Sequence, residues 1–187
     1  MEQLNTNGYL KIYIGCMFAG KSSEIIKELR RRLIIKQKVL GINYAEDKRY
    51  TDEDYIVNHN LEKIHCIKVK NLKDIPESDI LVNDFIFIDE AQFFDDLIEY
   101  VLKWVDEYKK TVYVFGLDGD FKRQQFGKII DLIPHCNDIV KLKALCSLCK
   151  DGTDALFTHR ITHENNQVVI GFDNYIPLCR KHYNDIN

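Results

Sequence analysis

The 187-residue chain is poor in chain breakers: three prolines and nine glycines, with a single tryptophan. That scarcity excludes collagen-like, proline-rich and low-complexity architectures. No internal repeat is visible, which excludes solenoids and propellers. No apolar run approaches the ~18 residues that a membrane helix requires. The opening residues, MEQLNTNG, lack the basic and apolar regions of a secretory signal. The expectation is therefore a cytoplasmic protein with no membrane partner. Charge of one sign is also lacking. The 26 basic residues face 29 acidic ones, a net charge of −3, which argues against a general electrostatic nucleic-acid binder. What is present is a core: 45% of residues are hydrophobic and 29% charged, enough for one large domain or one domain with a small appendage. In a reducing compartment the six cysteines should be thiols or metal ligands rather than disulfides.

Up to about residue 140 the chain alternates between short apolar runs and helical patterns. Residues 9–15 (YLKIYIG), 39–44, 63–69, 85–89 (FIFID) and 111–117 (TVYVFGL) read as strands. The unbroken apolarity of FIFI suits a strand covered on both faces. Residues 22–37 read as a helix with Ile25, Leu29 and Leu33 on one face, and residues 94–108 as an amphipathic helix. The polar, acidic stretch 45–60 reads as a surface loop. Alternation of this kind implies an α/β fold, a mostly parallel sheet with helices on both faces. After about residue 140 two short Cys/His motifs flank mixed alternation at 155–161 and 167–172, the pattern of a small appended domain. The division predicted is 1–141 for the nucleotide-binding α/β domain and 142–187 for the metal-binding appendage.

Residues 15–22, GCMFAGKS, fit G-x-x-x-x-G-K-[ST] between a predicted strand and a predicted helix. Glycines let backbone N–H groups curl around a phosphate, and the helix N-terminus adds partial positive charge. Lys21 is placed to reach the β- and γ-phosphates, and the Ser22 hydroxyl to ligate Mg²⁺. Asp89 ends the FIFI strand, where such folds hold Mg²⁺ through water, and Glu90 beside it is a candidate general base. Acidic residues also favour any helix start, so the pair alone is not decisive. To this point the residues indicate an ATP or GTP site without separating a kinase from a motor ATPase.

Cys146-x-x-Cys149 and Cys179-x-x-His182 offer three thiolates and one imidazole, a closed tetrahedral set for structural Zn²⁺. A thioredoxin-like redox pair is the rival, but it has no use for the second half-site. A zinc ion here would tie together the ends of the segment between the two motifs. Cys66 and Cys136 read as small buried hydrophobes. Cys16, inside the phosphate loop, is a possible oxidation liability.

The motifs also follow one another in a specific order: GCMFAGKS, EDKRY (46–50), FIDEAQFF (87–94), GLDGDFKRQQFG (116–127), LKALCSLC (142–149), ALFTHR (155–160) and VVIGFDNYIPLCRKHY (168–183). In this the chain resembles the zinc-containing thymidine kinases of cellular cytosols, bacteria and large DNA viruses, over roughly residues 9–183. The resemblance implies a RecA-like α/β domain with a zinc-bound lasso over the nucleoside. It implies transfer of phosphate from ATP, with Mg²⁺, to the 5′-hydroxyl of thymidine or deoxyuridine in nucleotide salvage. It further implies a homotetramer and inhibition by dTTP. Carried over by motif, Gly15, Cys16, Met17, Phe18, Ala19, Gly20, Lys21, Ser22 and Ser23 bind the nucleotide with Asp89. Ser22 and Asp89 serve the magnesium, and Glu90, Arg49 and Lys21 serve catalysis, with Asp47 near the metal. Met17, Phe93, Leu117, Phe121, Thr158 and Tyr175 surround base and sugar, while the backbone of Val168, Val169, Ile170 and Gly171 reads the polar edge of thymine. The chain departs from the family pattern at Cys16 (commonly proline), at Ile170 (commonly glycine) and at His182 (cysteine in many members).

Overall fold

The computed structural model describes residues 7–46, 54–58, 60–162 and 174–186. Its centre is a six-stranded sheet built from β1 (Tyr9–Ile14), β2 (Val39–Tyr44), β5 (Ile67–Val69), β6 (Phe85–Ile88), β7 (Thr111–Gly116) and β8 (Asp138–Lys141). The order is β5-β2-β6-β7-β1-β8, and every pairing in it is parallel. The predicted mostly parallel α/β sheet is thus present.

Alternation along the central strands divides two kinds of side chain between the faces. Ile12 and Ile14, Ile86 and Ile88, and Val112 and Val114 point to one face, with Leu97, Val101 and Trp104 packed on them. Those three belong to α3 (Leu97–Leu102) and to the π-helical turn Lys103–Glu107 that continues it. Tyr13, Phe85, Phe87, Tyr113 and Phe115 point to the opposite face, onto Ile25, Ile26 and Leu29 of α1 (Lys21–Ile34). On that face Tyr13 stacks on Phe115 with centroids 4.4 Å apart, and Phe87 on Tyr113 at 4.8 Å. One face is therefore an aliphatic surface and the other an aromatic one. Helices cover both, which is why the FIFI run has no polar position.

Five local expectations are corrected. The loop expected over 45–60 contains β3 (Tyr55–Val57), which pairs antiparallel with β4 (Lys63–His65) and buries Ile56 against the α1 face. Three residues are too few for alternation to stand out among acidic neighbours. The strand expected over 63–69 breaks at Cys66: β4 faces β3, whereas β5 joins β2. Leu33 is 46% exposed because α1 outruns the sheet that covers Ile25 and Leu29. Cys136 is half-buried rather than buried. Elsewhere the helix expected from residue 94 begins at Leu97, after a 3-10 turn at Ala91–Phe93.

Beyond the sheet, β9 (Ala144–Leu145) pairs with β10 (Asp154–Ala155), and β11 (Phe157–Arg160) pairs with β12 (Tyr175–Leu178). The helix α4 (Arg180–Ile186) follows. Ala144, Cys146, Ala155, Leu178, Cys179 and Tyr183 form a small core together with Cys16 and Ala19 of the phosphate loop. The C-terminal module and the phosphate loop thus share apolar packing.

Phe87 is fully buried in the aromatic layer. Phe87→Ala is expected to cost about 3–5 kcal/mol of unfolding free energy, read from urea denaturation. A loss below about 1 kcal/mol would show that the layer does not support the fold.

Candidate functional site

β1 and β7 end level with one another, and β6 ends two residues short of them. Ile14 pairs with Gly116, and Ile88 with Val114. The residues that follow, Gly15, Asp89 and Leu117, therefore gather at the carboxyl edge of the sheet, the usual binding edge of open α/β sheets. β7 lies between the strand that leads into the phosphate loop and the strand that leads into Asp89-Glu90.

The loop 15–22 joins β1 to α1 as expected. Gly15 adopts φ 153°, and a Cβ there would lie 2.4 Å from the Leu142 carbonyl oxygen, so no side chain fits. Lys21 is buried, and its ammonium donates to the carbonyl oxygens of Gly15 (3.1 Å) and Cys16 (2.8 Å). The cation is thereby held inside the loop's curl. The Met17 backbone N–H donates to the Thr158 hydroxyl at 3.0 Å, which ties the loop to β11. Cys16 is 2% exposed. Burial pushes its thiol pKa up against the opposing pull of the Lys21 ammonium, so the expected oxidation liability is blunted.

Asp89 and Glu90 are both buried. Asp89 accepts from the Glu90 backbone N–H at 3.0 Å, and its own N–H donates to the Ile42 carbonyl at 2.8 Å. Glu90 has φ 52° and ψ 38°, the left-handed region. For a residue other than glycine that conformation costs about 1–2 kcal/mol, and such strain persists only where the surroundings impose it. Here it turns the chain sharply from β6 into the 3-10 turn. Gln92, also buried, donates from Nε2 to Glu90 Oε2 at 2.6 Å and accepts the Leu117 N–H on Oε1 at 3.0 Å. Phe93 stacks on Tyr44 (centroids 5.1 Å) and meets Phe126 edge-on at 5.4 Å.

The motif GLDGDFKRQQFG folds on Asp120. Its carboxylate accepts the N–H groups of Lys122 (2.8 Å) and Gln124 (2.9 Å), a side-chain-stabilised turn. Phe121 lies within this turn and is held from the C-terminal module in two ways. The Arg160 guanidinium lies 3.7 Å from its ring centroid, and the Tyr183 hydroxyl donates to its carbonyl at 2.6 Å. Arg160 also donates to the Tyr175 hydroxyl at 2.7 Å, across the β11–β12 pair. Phe121 and Tyr175 are thereby brought together around one buried cation. Arg49 and Asp47, and likewise Val168, Val169, Ile170 and Gly171, lie outside the described residues. Reading by motif missed Gln92, Phe126, Arg160 and Tyr183. Each stands inside or beside a quoted motif, but none has a local signal of its own.

Cys146 and Cys149 follow β9, Cys179 precedes α4, and His182 lies in its first turn. The ligand atoms of all four lie within 4.8 Å of one another. Cys149 and Cys179 sulfurs are 3.8 Å apart, and His182 Nδ1 is 3.5, 3.3 and 3.4 Å from the sulfurs of Cys146, Cys149 and Cys179. A tetrahedral ion with Zn–S near ~2.3 Å and Zn–N near ~2.1 Å needs edges of about 3.8 Å and about 3.6 Å. The set fits zinc and leaves no open position. Burial raises the Cys146 thiol, but backbone N–H groups of Cys179, Cys149 and Leu148 outweigh it and bring the thiol down to about 6, an arrangement suited to a thiolate ligand.

The family model for thymidine kinase matches residues 8–183. The chain is 37% identical over 182 residues to thymidine kinase a of Arabidopsis thaliana, covering 95% of this chain and 75% of that one. It is 37% identical over 182 residues to the thymidine kinase of Yaba monkey tumor virus, covering 97% of each. Against the thymidine kinase of vaccinia virus strain Western Reserve it is 37% identical over 181 residues, covering 95% of this chain and 98% of the relative.

Metal analysis of the purified protein is expected to find about one zinc per chain, and stripping it should lower the melting midpoint by ~5–10 °C. His182→Ala should do the same. Zinc-free protein with an unchanged midpoint would show that the cluster is not structural.

Proposed function

The chain belongs to the thymidine kinase family, and from that premise we propose how its residues carry out the reaction. It is an enzyme that phosphorylates thymidine. The phosphoryl donor proposed is ATP, held by residues 15–23 of the phosphate loop. Ser22 and Asp89 present hydroxyl and carboxylate oxygens, a donor set suited to Mg²⁺. When bound, the ion supplies charge neutralisation between the phosphates.

Glu90 takes the proton from the 5′-hydroxyl as that oxygen bonds to the γ-phosphorus and the bond to the β–γ bridging oxygen breaks, releasing ADP. Lys21, and Arg49 by resemblance, stabilise charge on the transferring group. Met17, Phe93, Leu117, Phe121, Thr158 and Tyr175 form the base and sugar pocket, and the backbone of Val168, Val169, Ile170 and Gly171 reads the thymine edge. Residues 1–141 act as the nucleotide-binding domain and 142–187 as the zinc-bound lid. The thymine methyl in a small apolar pocket is worth only ~1–3 kcal/mol, so deoxyuridine is a second acceptor. Cytosine instead mispairs polar groups and is rejected more strongly. Inhibition by dTTP, a homotetramer and cytoplasmic residence complete the proposal by resemblance. No helix among the described residues is long and apolar enough to cross a membrane.

The observation that carries this reading is the buried Asp89-Glu90 pair at the same sheet edge as the Lys21 loop. The net charge of −3 gives a nucleic-acid-driven ATPase no support.

A coupled kinase assay with Mg·ATP should show phosphorylation of thymidine and deoxyuridine and little of deoxycytidine or the purine deoxynucleosides. Glu90→Gln should lower kcat by ~10²–10⁴-fold. Full activity in that variant would remove Glu90 as the base. ATP hydrolysis stimulated by DNA and not by thymidine would overturn the acceptor.

A further inference from the structure

The Glu90 carboxylate sits on a residue whose backbone belongs to neither β6 nor the turn that follows, in the left-handed region. Regular structure therefore does not fix where the carboxylate points. Gln92 meets it at 2.6 Å, within the same buried cluster. Which end of the amide does so is settled by its other partner. The Leu117 backbone N–H can only donate, so Oε1 must face it, and Nε2 must face Glu90. A carboxyl oxygen accepts, so the amide is matched to a partner at both ends.

The surroundings keep this amide in place. A Cβ at Gly116 would lie 2.6 Å from Gln92 Oε1. A Cβ at Gly127, where φ is +60°, would lie 2.0 Å from the Gln92 carbonyl oxygen. The two glycines that bound GLDGDFKRQQFG thus leave the space that Gln92 occupies. One side chain joins the second residue after β6 to the residue after β7.

We propose that Gln92 is a positioning residue for phosphoryl transfer, orienting the Glu90 carboxylate through Nε2 while Oε1 fixes Leu117. It rests on the reading of Glu90 as general base. Holding the base in register before substrate arrives matters because a misplacement of about 1 Å costs ~10²-fold in rate.

Gln92→Glu separates the two bonds: its carboxyl still accepts from Leu117 N–H, but beside Glu90 the two carboxyls cannot both ionise, so the charged base loses its donor or shares one proton. The expected result is kcat lower by ~10–100-fold, with KM for thymidine within about threefold. Gln92→Met, which adds no charge, loses both bonds. It should lower kcat similarly while raising KM, because the Leu117 wall is also released. In the double variant Glu90→Gln/Gln92→Glu the hydrogen bond can re-form with its roles exchanged. Its melting midpoint should return to within ~3 °C of the parent, while kcat stays at the Glu90→Gln level. A merely structural Gln92 would not give the fall in kcat at near-constant KM expected of Gln92→Glu. If Gln92→Glu keeps the parental kcat while Glu90→Gln is inactive, the positioning role is wrong and the base assignment stands. A rise in KM alone would reduce Gln92 to a support for Leu117. If Glu90→Gln is fully active, the base assignment fails first and the inference with it.

Discussion

Everything at the site depends on the parallel register of β1, β7 and β6. Because Ile14 pairs with Gly116 and Ile88 with Val114, the chain leaves the sheet at one edge in all three places, β6 two residues before the others. Polar groups concentrate there without interrupting the ladder. The strands themselves are free to be wholly apolar, aliphatic towards α3 and aromatic towards α1. A shift of a single residue in any of them would exchange the faces. Tyr13 and Phe87 would then enter the aliphatic layer, and the phosphate loop would lose its alignment with Asp89. The packing of the core and the geometry of the site are thus set by one constraint.

At that edge the protein buries Lys21, Asp89, Glu90 and Gln92 together. Burial of charged groups is tolerated only with partners. The loop carbonyls take the Lys21 ammonium, the Glu90 N–H meets Asp89, and Gln92 bridges Glu90 to Leu117. These bonds hold the groups in one arrangement before any ligand enters, which is what phosphoryl transfer requires of the protein, since its task there is positioning and charge stabilisation. The strained backbone of Glu90 belongs to the same economy of a preset site.

The C-terminal module reaches this site by contacts distant in sequence. Cys16 and Ala19 share its small core, Thr158 receives the Met17 N–H, and Tyr183 and Arg160 hold Phe121 by its carbonyl and its ring. Tyr183 directly follows His182. The Cys146, Cys149, Cys179 and His182 side chains therefore gather at the base of α4, from which the Phe121 turn is held.

The residues alone announced much of this. The phosphate loop carries its chemistry in eight consecutive positions, FIFID reads as a buried strand ending in a carboxylate, and two short Cys/His motifs give a full ligand set. Such features are legible because their physics is local: periodicity, spacing and residue type suffice. The β3–β4 pair and the break at Cys66 were not legible, because three-residue strands carry too little alternation and are defined by their partners. Gln92, Arg160 and Tyr183 were silent for a related reason. A glutamine or a tyrosine has no role until tertiary structure places a carboxylate, an amide or a ring against it. The sequence by itself determined the fold class, the family and the chemically obvious side chains, while only the folded chain decided which residues hold them in place, since those bonds span up to 141 positions, as from Met17 to Thr158.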